Sequence, residues 1–194
     1  GVAGFVPAQT QLSLRMYGAQ SAASQKNCQD THLAVPFGPA GASGDAITAM
    51  VDRAKAQGYT PIAYSLGQAA NDFATEARER VIVLVSDGKE TCQGDPVVAA
   101  KALAAKGITV HTVGFVADSA ARGQLQAIAR ATGGTYFDAP AGPELPDTLK
   151  SALDKESDAG VREAVALALA AIDVRSDDPS LRLDAVRVLA ASDR

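Results

Sequence analysis

The chain has 194 residues, of which 47% are hydrophobic, with a formal net charge of −4 and a pI near 5.1. This length suffices for one α/β domain of ordinary size with a small addition, and its core must be aliphatic because aromatic residues make up only 5%. The acidic balance excludes a nucleic-acid-binding surface, since no basic stripe is present to neutralise phosphates. No apolar run approaches the length of a membrane span.

Two strands and a helix are predicted first. Residues 12–17 alternate apolar and polar side chains, which is typical of a half-buried strand. Residues 33–37 form a second short strand, and Pro36 within it indicates an edge strand. A helix is then predicted over residues 45–57, with Gly58 as its end.

The next helix is expected to begin at Pro61 with Thr60 as its N-cap, because a capping residue followed by proline is typical of helix starts. Residues 81–86 then carry five consecutive aliphatic side chains, three of them valine. Such a run predicts a central parallel strand buried on both faces. Asp95 and Pro96 repeat the pattern of cap and proline and predict another helix start.

Strands and helices continue to alternate to the end of this part of the chain. The helix from Pro96 is expected to end at Gly107, and residues 108–115 form a further buried strand. Asp118 caps the following helix, residues 135–137 form a short last strand, and leucines within 145–153 mark an amphipathic helix. The alternation predicts an α/β fold of three layers, a mainly parallel sheet with helices on both faces.

The last part of the chain differs in pattern. Two segments that fit Asp-x-x-(Val/Leu)-Arg begin at Asp158 and Asp178, twenty residues apart, and each starts a helix rich in alanine and leucine. We therefore expect two domains, over residues 1–156 and 157–194. The second is a helical hairpin, either similar to a HEAT-type repeat or simply a two-helix cap on the sheet.

Cys28 and Cys92 both lie in polar, loop-like surroundings. They are either two free surface thiols or one disulfide that staples two loops. A bridge would close a loop of about 65 residues and stabilise the protein by roughly 4 kcal/mol in the chain-entropy model. A disulfide also predicts an extracytoplasmic location, either secreted, periplasmic or at the cell surface.

Ser86 and Asp87 follow directly on the strand at 81–86, at the edge where α/β sheets usually bind ligands. A serine hydrolase is a remote alternative here, because serine after a strand resembles a nucleophile elbow. However, Leu84 stands where that motif has glycine. His32 precedes the turn, and His111 lies within a strand rather than in a loop that could reach the serine.

Four segments, taken in order, resemble the von Willebrand factor A domains of bacterial secreted proteins. They are residues 12–18, 28–38, 58–66 and 81–96, and the resemblance covers about residues 1–156. It implies a doubly wound α/β fold, and a metal-ion-dependent adhesion site at the carboxyl edge of the sheet.

In that family three loops hold a divalent ion, and they supply an Asp-x-Ser-x-Ser motif, a threonine and an aspartate. The resemblance places the threonine at Thr60 and the aspartate at Asp87, and it implies Mg²⁺ or Mn²⁺ as cofactor. Oxygen ligands and retained water suit such ions, and the position left open takes an acidic side chain of a protein partner.

No Asp-x-Ser-x-Ser occurs in the 194 residues. We expect the strand and loop that carry it either to precede Gly1 or to be supplied by another chain, so that metal binds at useful strength only when this loop is supplied. The predicted function is a non-catalytic protein- or ligand-binding module with an incomplete adhesion site, and the alternative is a metal-free structural or interaction scaffold. Lys89 and Glu90 are expected to be solvated at the rim of the site, facing the partner.

Overall fold

The computed structural model describes residues 10–55, 57–74 and 79–139. The predicted helix at 145–153 and the predicted domain at 157–194 lie outside the described residues. The described chain contains five strands and four helices, which alternate from Val81 onward, with one 3₁₀ turn, Ala23–Gln25, after the first strand. The bounds are β1 Gln11–Tyr17, β2 Thr31–Pro39, α1 Ala40–Arg53, α2 Ile62–Ala69, β3 Val81–Ser86, α3 Pro96–Ala104, β4 Thr109–Phe115, α4 Ser119–Ala131 and β5 Tyr136–Ala139.

The described residues divide into two compact units. One comprises residues 10–14 and 34–54, and the other comprises 15–33 together with the described residues from 55 to 139. Strands β1 and β2 form a two-stranded sheet, whereas β3, β4 and β5 form a three-stranded sheet in that order. The second unit contains the whole three-stranded sheet and helices α2, α3 and α4, and therefore the loops at the end of β3.

The three-stranded sheet is parallel throughout, as the alternation of elements predicts. In the pairing of β3 with β4, Val83 lies opposite His111 and Ser86 lies opposite Gly114. In the pairing of β4 with β5, Gly114 lies opposite Asp138. Because parallel strands end at the same edge, the carboxyl ends of β3 and β4 bring the loops that follow them together.

Strand β4, rather than β3, is the buried centre of this sheet. The five residues from Val110 to Gly114 are all buried, whereas in β3 only Leu84 and Ser86 are buried. The prediction that β3 is central and buried on both faces is therefore wrong for the described residues, in which β3 pairs with β4 alone. A run of aliphatic residues shows that a strand is apolar but does not show how many neighbours it has.

The core of the second unit is aliphatic, as the composition predicts. Helix α3 packs against α2 and α4, and α4 packs against β4. None of the described helices is long and apolar enough to cross a membrane. The buried residues of this core are Ile62, Leu66, Leu84, Ala100, Leu103, Ile108, Val110, Leu125 and Ile128.

Two helix starts confirm their sequence signals. The Asp95 carboxylate accepts hydrogen bonds from the backbone N–H groups of Val97 (2.9 Å) and Val98 (3.2 Å) at the start of α3. The Asp118 carboxylate accepts from Ala121 N–H at 2.7 Å at the start of α4. Both aspartates satisfy N–H groups that have no partner within the helix, so a local sequence signal is enough to locate these starts.

Helix α1 does not follow its predicted bounds. It runs over Ala40–Arg53 rather than over 45–57, and no side chain caps its start. Its first turns are built from small residues, and Ala40, Ser43 and Gly44 are buried. These small side chains allow the helix to begin directly after β2, where a search for a capping residue finds no signal.

One buried ion pair joins β1 to the segment after α2. The Arg15 guanidinium donates to both carboxylate oxygens of Asp72, with Nε–Oδ2 at 2.6 Å and Nη2–Oδ1 at 2.7 Å. The two side chains are only 17% and 12% exposed. Because little water reaches the pair, removal of either partner leaves a charge that is buried without compensation.

We expect Asp72→Ala to lower the free energy of unfolding by about 3 kcal/mol, because it leaves the Arg15 charge buried without its partner. Urea denaturation would measure the change. The matched control is Arg122→Ala, which breaks the exposed Arg122–Asp138 pair and should cost less than about 1 kcal/mol. Equal losses in the two variants would contradict the prediction.

Candidate functional site

Ser86 and Asp87 lie at the carboxyl edge of the parallel sheet, as the sequence predicts. The Ser86 side chain is 5% exposed, and its hydroxyl donates to the carbonyl of Gly88 at 2.9 Å. Asp87 is exposed, and no described residue donates a hydrogen bond to its carboxylate. The serine thus shapes the turn, while the aspartate presents its oxygens to solvent.

Thr60 does not cap α2, contrary to the prediction. The helix begins at Ile62, and its N-cap position is Pro61, whose side chain makes no capping hydrogen bond. The Thr60 hydroxyl makes no hydrogen bond within the described part of the chain. The capping role falls instead to Glu90, whose Oε2 accepts from Ala63 N–H at 2.7 Å.

The loop that follows β3, residues 87–95, is bonded directly to the segment that carries Thr60. Thr60 N–H donates to the Thr91 hydroxyl at 2.7 Å, and Thr91 N–H donates to the Thr60 carbonyl at 3.2 Å. The backbone of Thr60 is therefore fixed against the loop that begins with Asp87. The two predicted ligands thus lie on segments that are joined to each other.

Glu90 is not a solvated rim residue. It is half-buried, and besides the bond to Ala63 its Oε1 accepts from Cys92 N–H at 2.8 Å. Its own N–H donates to the Gln124 side-chain oxygen of α4 at 2.7 Å. Only Lys89, which is exposed, fits the expected place at the rim.

The Thr60 segment is also held on its other side, by residues 18–23. The backbone N–H groups of Gln57 and Gly58 both donate to the Gly18 carbonyl, at 3.1 and 2.9 Å. The backbones approach so closely that a Cβ on Gly58 would lie 2.6 Å from the Ser21 carbonyl oxygen. Glycine is therefore required at position 58.

A disulfide joins Cys28 to Cys92, with Cα atoms 5.7 Å apart, and the described chain holds no free cysteine. This is the staple between two polar loops that the sequence favours over two free thiols. It ties the loop at 87–95 to the segment that follows Gly18. That loop is therefore held covalently as well as by hydrogen bonds.

Tyr17 approaches the same edge from β1. Its hydroxyl donates to the Val85 carbonyl at 2.8 Å. Burial raises the pKa of Tyr17 to about 12, and the negative charges of Asp87 and Glu90 add to this, whereas the neighbouring Ser86 hydroxyl works in the opposite direction. The negative charge at the candidate site thus favours the protonated form of the Tyr17 phenol.

The donor set at this edge fits a hard divalent cation but does not complete its shell. A hydroxyl and a carboxylate are oxygen ligands of the kind that Mg²⁺ and Mn²⁺ prefer. Within the described residues, the Thr60 hydroxyl and the Asp87 carboxylate make no hydrogen bond that would compete for those oxygens. In the part of the chain that the structure describes, no group of three or more His, Cys, Asp or Glu side chains could hold a metal ion.

The geometry gives little support to a serine nucleophile. Ser86 lies opposite Gly114, and His111 is three residues farther back along β4, roughly 10 Å away at the usual rise per residue. The His111 Nδ1 accepts a hydrogen bond from Thr135 N–H at 3.0 Å. His111 is therefore placed to hold the start of β5.

Glu90, Thr91, Gln124 and Tyr17 are residues of this edge that sequence analysis missed or misplaced. Glu90 and Ala63 lie 27 residues apart, and Tyr17 and Val85 lie 68 apart. No local pattern predicts such contacts. The only available signal for Glu90 was its place two residues before a cysteine, which the disulfide draws inward.

Comparison with known proteins identifies a family. A family model described as the von Willebrand factor type A domain matches residues 7–151. Among curated proteins of Bacillus subtilis (strain 168), the uncharacterized protein YwmD is 30% identical over 160 residues, which cover 78% of this chain and 69% of YwmD. The uncharacterized protein YwmC is 45% identical over 84 residues, which cover 42% of this chain and only 37% of YwmC.

A similar fold is found in proximal thread matrix protein 1 (PTMP1) from the mussel byssus, in a structure in which zinc occupies the metal-ion-dependent adhesion site (MIDAS) motif. The TM-score is 0.56 at 19% identity, over 84% of this chain and 39% of that chain. At this identity the likeness concerns the fold alone.

We expect the double variant Cys28→Ser/Cys92→Ser to lose about 4 kcal/mol of unfolding free energy, because the bridge closes a 64-residue separation. Urea denaturation measures this loss. Reductant should produce a similar loss in the wild-type protein and none in the double variant. An effect of reductant on the double variant would refute the assignment of the stability to this bridge.

The pKa of Tyr17 predicts a loss of stability at alkaline pH. Because the folded-state pKa of about 12 lies above the ordinary tyrosine value of 10.0, the protonated phenol stabilises the fold fully below pH 10, and this contribution is lost between pH 10 and 12. Unfolding free energies measured at pH 9, 10 and 11 should therefore fall less steeply in Tyr17→Phe than in the wild type. Identical slopes would show that Tyr17 does not contribute.

Proposed function

Because the chain belongs to the von Willebrand factor type A domain family, we propose that it is a non-catalytic protein-binding module built around a metal-ion-dependent adhesion site. Thr60 and Asp87 are this chain's ligands to Mg²⁺ or Mn²⁺. The remaining protein ligands, those of an Asp-x-Ser-x-Ser loop, come from outside the 194 residues. A carboxylate of the protein partner completes the shell.

One observation carries this proposal. The segments of Thr60 and Asp87 are bonded to each other through their backbones and neighbouring side chains, while the Thr60 hydroxyl and the Asp87 carboxylate take no part in those bonds. Functional groups that are left free on fixed backbone are what a preorganised ligand set requires. A threonine that served the fold alone would be expected to cap α2, and Thr60 does not.

The two residues have different roles in the proposed site. The Thr60 hydroxyl binds the ion directly, and the exposed Asp87 supplies negative charge and binds through water. The bound ion supplies a positive charge with an open coordination position, at which an acidic side chain of the partner binds. PTMP1, whose fold is similar, has a MIDAS motif that zinc occupies in one structure, which supports a divalent ion as the class of cofactor.

We also propose an extracytoplasmic location. The Cys28–Cys92 disulfide supports this, because disulfides persist in oxidising compartments. The assignment of residues 1–156 to the family domain and of 157–194 to a two-helix extension remains a proposal, since the second range lies outside the described residues.

The second candidate is a metal-free structural or interaction scaffold. The observation that favours it is the lack of a group of three metal-ligating side chains among the described residues. In that case Thr60 and Asp87 would be ordinary loop residues. Metal binding by the chain distinguishes the two candidates.

We expect Mn²⁺ to bind this chain with a dissociation constant on the order of millimolar, and Asp87→Ala and Thr60→Val each to weaken binding about ten-fold or more. Enhancement of water-proton relaxation by bound Mn²⁺ measures such weak affinities. Thr60→Val removes a hydroxyl that makes no hydrogen bond in the described structure, so it should not impair folding.

Thr60→Ser is the matched control, because it keeps the hydroxyl and should retain most of the affinity. If the wild-type chain binds Mn²⁺ equally well in all variants, the adhesion-site proposal fails. If it binds no Mn²⁺, this chain alone is a scaffold.

A further inference from the structure

We infer that Glu90 and Thr91 form a clamp that sets the position of Thr60 relative to Asp87, and that they are the positioning residues of the site. This inference rests on the proposed function, because it concerns the same two ligands. Neither clamp residue is assigned to the ion itself. The clamp acts by fixing the backbone on which Thr60 stands.

The contacts of the clamp reach every element next to the site. The Glu90 carboxylate spans two backbone donors, Ala63 N–H of α2 and Cys92 N–H of its own loop, at 2.7 and 2.8 Å. The Glu90 backbone is held in turn by Gln124 of α4 at 2.7 Å. Glu90 thereby connects the loop at 87–95 with the start of α2 and with α4.

Thr91 adds the contact to Thr60 itself. Its hydroxyl accepts from Thr60 N–H at 2.7 Å, and its N–H donates to the Thr60 carbonyl at 3.2 Å. Both groups of the Thr60 peptide backbone are used, so the point from which its side chain projects is fixed. Asp87 lies only three residues before Glu90 on the same loop, so the clamp leaves little freedom between the two ligands.

Glutamate suits the first of these roles for a specific reason. An ionised carboxylate only accepts hydrogen bonds and has two oxygens, so it can bond two N–H groups at once. A glutamine has one acceptor oxygen and an amide that would face the second N–H group. The negative charge at the start of α2 is also favourable for the helix dipole.

The variant Glu90→Gln/Thr91→Val tests the clamp, because it breaks one carboxylate bond and the Thr60 N–H bond while it keeps side-chain size. The matched control is Asp95→Asn on the same loop. It removes the same unit of charge, but asparagine caps α3 as well as aspartate does. Circular dichroism and urea denaturation would establish that both variants fold.

The measurement is Mn²⁺-induced broadening of the backbone amide signals of Thr60 and Asp87 in NMR spectra of the ¹⁵N-labelled chain, which falls steeply with distance from the ion. In the wild type and in Asp95→Asn we expect both signals to broaden. In the clamp variant we expect Mn²⁺ affinity to fall about ten-fold, as is typical for residues that orient metal ligands, with Thr60 broadened much less than Asp87.

The outcomes separate the two claims. If neither signal broadens in the wild type, this chain alone holds no ion at Thr60 and Asp87, so it is a scaffold and the clamp inference is overturned with the site. If both broaden in the wild type and equally in the clamp variant, the proposed function stands and the clamp is wrong. If stability falls in the clamp variant but both signals still broaden at unchanged Mn²⁺ affinity, Glu90 and Thr91 are structural residues and the inference is overturned.

Discussion

Parallel pairing of β3 with β4 is the constraint on which the rest of the site depends. The register places Ser86, the last residue of β3, opposite Gly114, which lies near the end of the central strand β4. The loop that follows β3 therefore begins at the carboxyl edge of the sheet. Every later contact of that loop follows from this position. Glu90 can reach the start of α2, and Cys92 can reach Cys28, only because the strand delivers the loop to an edge where those segments also end. The five buried residues of β4, from Val110 to Gly114, anchor this placement in the core.

The structure separates residues that hold the edge together from residues that it leaves available. Glu90 and Thr91 accept hydrogen bonds from backbone N–H groups, and the disulfide ties their loop in place. By contrast, the Asp87 carboxylate and the Thr60 hydroxyl make no hydrogen bond to another described residue. Ordering the proposed binding site costs conformational entropy. Because the surrounding bonds fix these segments during folding, that cost is not incurred again when a ligand binds. The close approach of the backbones at Gly18 and Gly58 has the same effect, because it restricts the movement of the segment that leads to Thr60.

The sequence predicts the parts of this molecule that depend on neighbouring residues. Strands β3 and β4, the Asp95 and Asp118 caps, the carboxyl-edge position of Asp87 and the family itself all follow from local patterns or from their order. The failures share a different cause. Glu90 takes over the cap expected of Thr60 because a residue 27 positions away competes for the same N–H groups. Helix α1 begins early because small side chains can pack, which no capping signal announces. The position of β3 in the strand order depends on which strands pair with it, and the apolar character of its residues does not determine that pairing.

The hydrogen bond from Tyr17 to Val85 has a consequence for colloidal behaviour. The Arg80 carbonyl accepts from Thr109 of β4, so the alternation along β3 turns the backbone groups of Val81, Val83 and Val85 away from β4. Among the described residues β3 pairs with β4 alone, and a β-branched strand with an open edge is a template for edge-to-edge association. Tyr17 occupies the Val85 carbonyl with a side chain that cannot extend a ladder. A phenol at this point therefore shortens the length of edge on which another chain could begin to add.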